Sequence, residues 1–463
     1  MNQATVQPAT GAPDIPAARP WKLALLWLAG LGPFFYLSYG LANYLAAQAA
    51  AHGQVPSVVF GWEHGIPFVP WTIYPYWSIN AFYALSVFLA VNRQQLHRHG
   101  LRLLTAQIIA VTCFILWPLA FTFGAPAVEG APALLFNALR GFDKPFNQAP
   151  SLHIALAVIL WDWYRQFIHA RWARGLLHGW TLLICVSVLS TYQHHFIDIP
   201  TGALLGVWCC WLWPVHGEKL PVQDMRQPTG KAIKLASLYG AGAVLCAAGA
   251  MRSTAWGLLW WWPALALLLV AANYAFLDAR GFAMQPHGRM GWAARWLYAP
   301  YRVAAWINAR LWTRGQALAN EVLPGVWLGR LPSTSEWVAA GRPRIVSLCA
   351  ELQAPHQADA RCVPLLDLLP PTPDQLQQAS RAIADMQKNV SHQAPPLWAC
   401  CALGYSRSAA ALATWLVDSG HCTNADEALA CIRRVRPQVV LHTAHLHAVQ
   451  QACAYAKPCQ HLM

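Results

Sequence analysis

The chain has 463 residues, 56% of them hydrophobic and only 11% charged, with a formal net charge of +13. That apolar share excludes an ordinary soluble protein. The basic excess would suit nucleic acid in a soluble chain, but it falls in short loops beside apolar runs. The positive-inside bias accounts for it there, and no nucleic-acid partner is expected.

Eight apolar runs approach the roughly 20 residues that a membrane helix needs. They lie at 23–46, 74–91, 103–123, 151–168, 175–193, 200–215, 235–250 and 257–276. Residues 1–18 lack the basic start of a signal peptide, so 1–20 reads as a cytoplasmic tail and 21–47 as an uncleaved first helix. No Lys or Arg occurs between Lys22 and Arg93, which puts 48–73 outside. Arg93, Arg98 and Arg102 mark the next loop as inside. Arg165, Arg171 and Arg174 do the same after run four, as do Lys219, Arg226, Lys231 and Lys234 after run six. Arg140, Lys144 and Arg252 are outside exceptions. Both termini then lie in the cytoplasm of a multi-pass inner-membrane protein.

After residue 278 the composition changes to arginines interleaved with Trp292, Trp296, Trp306 and Trp312. A basic, Trp-rich stretch at a membrane exit reads as an interfacial linker, which Pro300 breaks into two helices. From 321 on, β-like runs at 326–328, 345–348, 363–366 and 397–399 alternate with helical patterns at 373–389, 407–419 and 424–435. The expected fold is a polytopic all-α membrane domain (21–216, a six-helix core), two added spans (217–278), the linker (279–320) and a cytoplasmic α/β domain (321–463). Of thirteen cysteines, five lie in apolar runs and eight after residue 340. This is a reducing-compartment pattern, with no disulfide framework or zinc spacing, and neither a metal nor a cofactor is expected.

Two stretches carry chemistry. If runs four and five are antiparallel helices, His153 at the start of one lies at the same outer face as His194 and Asp198 at the end of the other. A neutral imidazole at His194 can attack phosphorus, with Asp198 fixing its tautomer. His153 can protonate the leaving alkoxide, and Ser151, Arg140 or Lys144 can hold the non-bridging oxygens. Pro150-Ser151-Leu152-His153 and His194-x-x-x-Asp198 resemble the second and third motifs of the type 2 phosphatidic acid phosphatase superfamily. Ile66-Pro67-Phe68-Val69-Pro70 and Gln193-His194-His195 bring it closer to the inositol-phosphoceramide-synthase-like branch. The resemblance implies His194 as nucleophile, Asp198 as its orienter, His153 as general acid and Ser151 as phosphate donor. Two departures stand out: Val188 replaces the usual phosphate-binding Arg, and the first motif is absent. Arg140 and Lys144 are the substitutes on proximity, and His195 reads as an ordinary interfacial histidine.

The second stretch is Cys401-Ala-Leu-Gly404-Tyr-Ser-Arg407-Ser408, between a β-like run and a helix. Consecutive N–H groups opening a helix bind a phosphate dianion and lower a thiol pKa. Arg407 offers a planar fork for two phosphate oxygens, and Ser408 can hydrogen-bond the thiolate as it leaves a phosphocysteine. These residues resemble the dual-specificity branch of the protein tyrosine phosphatases, over most of 321–450. The resemblance implies Cys401 as nucleophile and Asp367 as general acid, with Asp359 and Asp374 as competitors. Cys400 departs from the usual His before the nucleophile, and a vicinal disulfide with Cys401 is conceivable. The loop has no cation besides Arg407, which suits a singly phosphorylated headgroup or a phosphoprotein.

The whole chain looks like bacterial inner-membrane fusions of these two families. It is expected to be a bifunctional phosphatase acting on membrane phospholipids or lipid phosphates. Two alternatives remain open: a lipid phosphotransferase with a regulatory phosphatase domain, and a membrane-anchored tyrosine or dual-specificity phosphatase with an inactive membrane sensor.

Overall fold

The computed structural model describes residues 19–53, 55–215, 221–222, 225, 227–253, 255–388 and 395–456. Most of the expected N-terminal tail, with Lys219, Arg226 and Cys459, lies outside the described residues. The chain divides into two compact units at 218/219.

The first unit is helical: α1 (Trp21–Ala51), α2 (Ile73–Ser86), α3 (Arg93–Leu116), α4 (Ala131–Phe142), α5 (Leu152–Tyr164), α6 (Arg171–Ser190) and α7 (Asp198–Leu212). Every apolar run of the sequence contains a helix, but among the described residues five helices rather than eight are long and apolar enough to cross a membrane: α1, α3, α6 and two in the second unit. At about 1.5 Å per residue, the 13 to 15 residues of α2, α5 and α7 fall short of the roughly 30 Å hydrocarbon core. Helix α5 is instead enclosed by protein, with nine of its residues buried.

Arg93, Arg98 and Arg102 are not in a loop. Asn92 accepts a hydrogen bond from Gln95 N–H at 2.8 Å and caps α3 there, so all three arginines lie in its first turns. Arg102 is 2% exposed. It pairs with Asp162 of α5 at 2.8 Å and donates to the Trp213 and Cys210 carbonyls at the end of α7. A buried carboxylate and orphan helix-end carbonyls thus account for its charge. Helix α4, which no apolar run marked, fills the loop before α5.

Helices α5 and α7 approach unusually closely. A Cβ built on Gly202 would lie 2.4 Å from the Ser151 carbonyl oxygen, and one on Gly206 would lie 2.7 Å from that of Ala155. This glycine pair at four-residue spacing lets backbone meet backbone, and brings the start of α7 against the start of α5.

The second unit begins with α8 (Gly230–Arg252) and a 27-residue apolar stretch, Trp256–Phe282, that contains α9 (Trp261–Ala272). Short helix α10 (Trp292–Leu297) and α11 (Ala299–Trp312) follow, broken at Tyr298 with Pro300 in the first turn of α11, as Pro requires. Then come β1 (Ala319–Leu323), β2 (Val326–Arg330), α12 (Thr334–Ala339), β3 (Arg344–Cys349), β4 (Ala360–Leu365), α13 (Pro373–Lys388), β5 (Leu397–Cys401), α14 (Arg407–Asp418), α15 (Ala425–Val435) and α16 (Thr443–Ala456). The sheet order is β1-β2-β5-β3-β4, parallel except for the β1–β2 pair. Strand β5 is central and buried at every residue, as parallel sheets covered on both faces require.

The 279–320 segment is more than a tether. Ala309 of α11 belongs to the core of the sheet domain. The turn between Met284 and Met290 also hydrogen-bonds that domain: Ala354 N–H donates to the Gly288 carbonyl at 3.0 Å and Cys362 N–H to that of Pro286 at 2.7 Å.

Candidate active sites

In the first unit, Ser151 caps α5 by accepting from Ile154 N–H, His153 sits in the first turn, and Asp198 opens α7. His194 Nδ1 donates to Asp198 Oδ2 at 2.9 Å, with both side chains at most 6% exposed. That tautomer puts the lone pair on Nε2, the nitrogen that would react. Ser151 Oγ lies 3.4 Å from this Nε2. The His194 backbone N–H donates to the carbonyl of Val188. His153 stacks on Tyr76 at 4.1 Å, and its Nε2 is buried without a hydrogen-bond partner.

His153 and His194 line one cavity of about 350 Å³. The rest of its wall is mostly aromatic and aliphatic, with Asp143 as its other ionisable group besides tyrosines. Arg140 and Lys144 are not in this wall. Both are exposed, and Arg140 donates to the Pro126 carbonyl. Asp143 had no role in the sequence reading. Its carboxylate accepts from Tyr39 Oη–H at 3.0 Å and from Asn43. Burial pushes its carboxyl up, against the pull of the His194 ring and the Tyr39 and Asn43 donors. His195, next to the candidate nucleophile, has both nitrogens occupied. Nδ1 donates to Glu63 at 2.9 Å, and Nε2 accepts from Thr122 N–H at 3.3 Å. His195 is buried and held at both ring nitrogens.

In the second unit, Cys401 ends β5 and Arg407 begins α14, so the loop between them runs from the C-terminal end of the central strand to a helix N-terminus. The Cys401 sulfur accepts from Gly404 N–H and from Ser408 Oγ–H, each at 3.2 Å. Two donors thus converge on one sulfur. Gly404 has φ +74°, and a Cβ on it would lie 2.3 Å from the Gly329 carbonyl carbon, so the loop closes against β2 only with glycine there.

Arg407 is 1% exposed. Its guanidinium donates to both oxygens of Glu351, at 2.7 and 2.9 Å, and to the Leu365 carbonyl at 2.9 Å. Asp367 Oδ1 lies 3.0 Å from Nη2. Burial opposes the Arg407 charge, but the Asp367 and Glu351 carboxylates outweigh it and push the pKa still further up. Of the three candidate general acids, Asp367 is the one in this ion cluster. Asp359 precedes β4, with its carbonyl bound by Ile345 N–H, and Asp374 lies in the first turn of α13.

Cys400 and Cys401 are both free thiols. Burial, and then the adjacent Cys401, push the Cys400 thiol well up, so it is a neutral core group. Glu351 and Arg436 were missed as site residues. Glu351 lies three residues beyond the β-like run at 345–348, with no motif around it. Arg436 braces the loop from behind, donating to the Gly404 carbonyl at 3.1 Å and to Asn320 Oδ1 at 2.7 Å. Among the described residues, no group of three or more His, Cys, Asp or Glu side chains could hold a metal ion.

No protein-family model matches the sequence, and no curated protein matches it. Solved structures do. The crystal structure of PTPMT1 in complex with PI(5)P is 17% identical, with a TM-score of 0.25, covering 30% of this chain and 97% of that one. Tk-PTP in its active form is 20% identical, with a TM-score of 0.24, covering 30% and 97%. Human DUSP28 is 20% identical, with a TM-score of 0.26, covering 30% and 95%. Values this low leave the functional argument to the geometry of the two sites.

Proposed function

We propose that this chain is a membrane phosphatase with two metal-independent sites, one of the phosphocysteine type and one of the phosphohistidine type. The observation that carries the reading is the Cys401 loop: a sulfur held by two donors, three residues from a glycine-closed turn, with a buried arginine fork at the following helix start. In the forward step the Cys401 thiolate attacks phosphorus and the P–O bond to the leaving alcohol breaks. Asp367 supplies the proton to the departing oxygen, and water then releases phosphate from the cysteine with Ser408 bonding the leaving sulfur. The substrate class is a singly phosphorylated lipid headgroup, such as phosphatidylglycerophosphate, or a phosphoprotein. The Cys401–Ser408 segment itself carries no cation besides Arg407, which favours a single phosphate.

At the other site His194 attacks a lipid phosphate such as phosphatidate, Asp198 steadies the imidazolium and His153 serves as proton donor. The Asp198–His194–Ser151 relay and the shared cavity support this assignment. The basic residues at the ends of the apolar runs support an eight-span topology in the inner membrane, with this site outside and the Cys401 site in the cytoplasm; α2, α5 and α7 would be short spans within the bundle.

One observation favours a second reading of the His194 site. Among the described residues, its cavity wall includes no Lys or Arg. A phosphodiester carries one negative charge and a phosphomonoester up to two, so a wall without cations suits a lipid phosphotransferase in which a lipid alcohol takes the place of water.

The test is phosphate release by the detergent-solubilised chain from phosphatidate, phosphatidylglycerophosphate and a phosphotyrosine peptide, with His194→Ala and Cys401→Ser alongside wild type. The proposal expects each variant to lose a different lipid substrate. Lipids untouched by either variant, with only the peptide depending on Cys401, would sink the lipid reading. Labelled phosphodiester donor with added lipid alcohols decides the second reading, which fails if no labelled acceptor lipid forms.

A further inference from the structure

The α8–α9 hairpin does more for the second unit than anchor it. After Ala272 the helix widens into a π turn, Asn273–Leu277. Such turns rotate side chains out of helical register and recur at functional positions. Here the turn delivers Tyr274 to the sheet domain. The side chain is buried, and its hydroxyl donates to the main-chain carbonyl of Asp367 at 3.0 Å. The Tyr274 ring stacks on Tyr239 of α8 at 5.4 Å, and Tyr239 meets Tyr301 of α11 edge-on at 5.8 Å. Three rings from two apolar helices and the linker therefore stand behind one carbonyl.

That carbonyl belongs to a loop that needs holding. The next residue, Leu368, has φ +61° and is exposed, a conformation that costs a leucine energy and persists only where the surroundings impose it. On the other side of the same residue, the Asp367 carboxylate rests 3.0 Å from Arg407. The loop is thus gripped twice: its carboxylate by the phosphate-binding arginine, and its backbone by a membrane-helix phenol.

We propose that Tyr274 is a positioning residue for the Cys401 reaction: by clamping the Asp367 carbonyl, it makes the membrane hairpin a working part of the general-acid loop. The inference rests on the reading in which Cys401 is nucleophile and Asp367 proton donor. As the sulfur–phosphorus bond forms and the P–O bond breaks, the electron pair stays on the departing oxygen. An alkoxide needs the Asp367 proton at that moment, whereas a nitrophenolate leaves without it. A residue that merely holds the fold together affects both alike. A residue that aims the acid affects only the basic leaving group.

The experiment uses the full chain in detergent and two esters, p-nitrophenyl phosphate and phosphatidylglycerophosphate. Tyr274→Phe keeps the ring and removes the clamp. Tyr298→Phe is the control, because the phenol bond it loses in the same cluster goes to Asn273 Oδ1 (3.2 Å). A general acid contributes about 10²–10⁴-fold, and partial misplacement should forfeit part of it, so kcat for Tyr274→Phe on the lipid ester should fall about tenfold. On the aryl ester the change should stay under about twofold, and in an Asp367→Asn background Tyr274→Phe should add nothing on either ester. Equal losses on both esters, or the same selective loss in Tyr298→Phe, would overturn the proposal. Full activity in Cys401→Ser on both esters would overturn the parent reading instead, and that result is distinguishable because it does not involve Tyr274.

Discussion

The close approach of α5 and α7 sets the His194 site, and Gly202→Ala measures it. The new Cβ would sit 2.4 Å from the Ser151 carbonyl oxygen and 2.9 Å from Ile154 Cβ. Ordinary contact begins near 3.4 Å, so the two helices must part by about 1 Å, and a backbone carbonyl cannot rotate away as a side chain could. Helix α7 carries Asp198 and, just ahead of it, His194. A shift of that size takes the Ser151–His194 contact from 3.4 Å beyond hydrogen-bonding range. Overpacking costs about 1–3 kcal/mol of stability, and a 1 Å misplacement of reacting groups costs about 10²-fold in rate. Thermal unfolding and His194-dependent turnover of phosphatidate would be measured together. Gly240→Ala in α8, where a Cβ would meet nothing within 4 Å, is the control. Turnover within about threefold of wild type would refute the claim that this contact positions the site.

Three more outcomes are expected, all in the second unit. Glu351→Gln removes the charge from a buried two-pronged pair while leaving Asp367 and the Leu365 carbonyl on Arg407; we expect about 2 kcal/mol of destabilisation in thermal melts. Inorganic phosphate should also inhibit that variant less well. Ser408→Ala deletes a 3.2 Å bond to the Cys401 sulfur. A hydrogen bond to a charged group is worth about 1.5–3 kcal/mol, so breakdown of the phosphocysteine should slow at least about tenfold. A stopped-flow burst of aryl alcohol would report it, and linear release without a burst would count against the assignment. Glu336 is held down at about 2: burial opposes this, but the Arg330 fork and the Ser333 donors prevail. Because the folded value is depressed, its stabilisation is fully present above the ordinary carboxylate range and disappears as pH falls towards 2. Glu336→Gln should therefore lower the melting temperature at pH 6, by an effect worth about 1 kcal/mol after solvent screening. The gap to wild type should close as pH falls from about 4.5 to 2.

Much of the architecture was legible. The strand signals at 326–328, 345–348 and 397–399 became β2, β3 and β5, because β-branched and apolar residues bounded by turns suit a buried parallel sheet. The helical patterns after them became α13, α14 and α15 within a residue or so. Strand β1 went unseen: Ala319-Asn-Glu-Val-Leu has no strong alternation and is held by pairing with β2. At the sites, short-range relations were legible and long-range ones were not. His194 and Asp198 are four residues apart and form their bond within one turn, so spacing alone suggested it. Glu351 and Arg407 are 56 residues apart, and nothing local marks Glu351 as the arginine's partner.

The sequence by itself therefore determined the apolar helices, the buried β5 strand, the Cys401–Ser408 loop and the His194–Asp198 pair. Each depends on periodicity, composition or a spacing of a few residues. Only the tertiary structure decided that Arg102 belongs inside a helix bundle, that two glycines set the gap between α5 and α7, and that Arg140 and Lys144 stay out of the His194 cavity. It alone brought Tyr274 to Asp367 across 93 residues. These contacts depend on which faces meet once helices and strands have packed, and a side chain's local sequence carries no record of the surface it will meet.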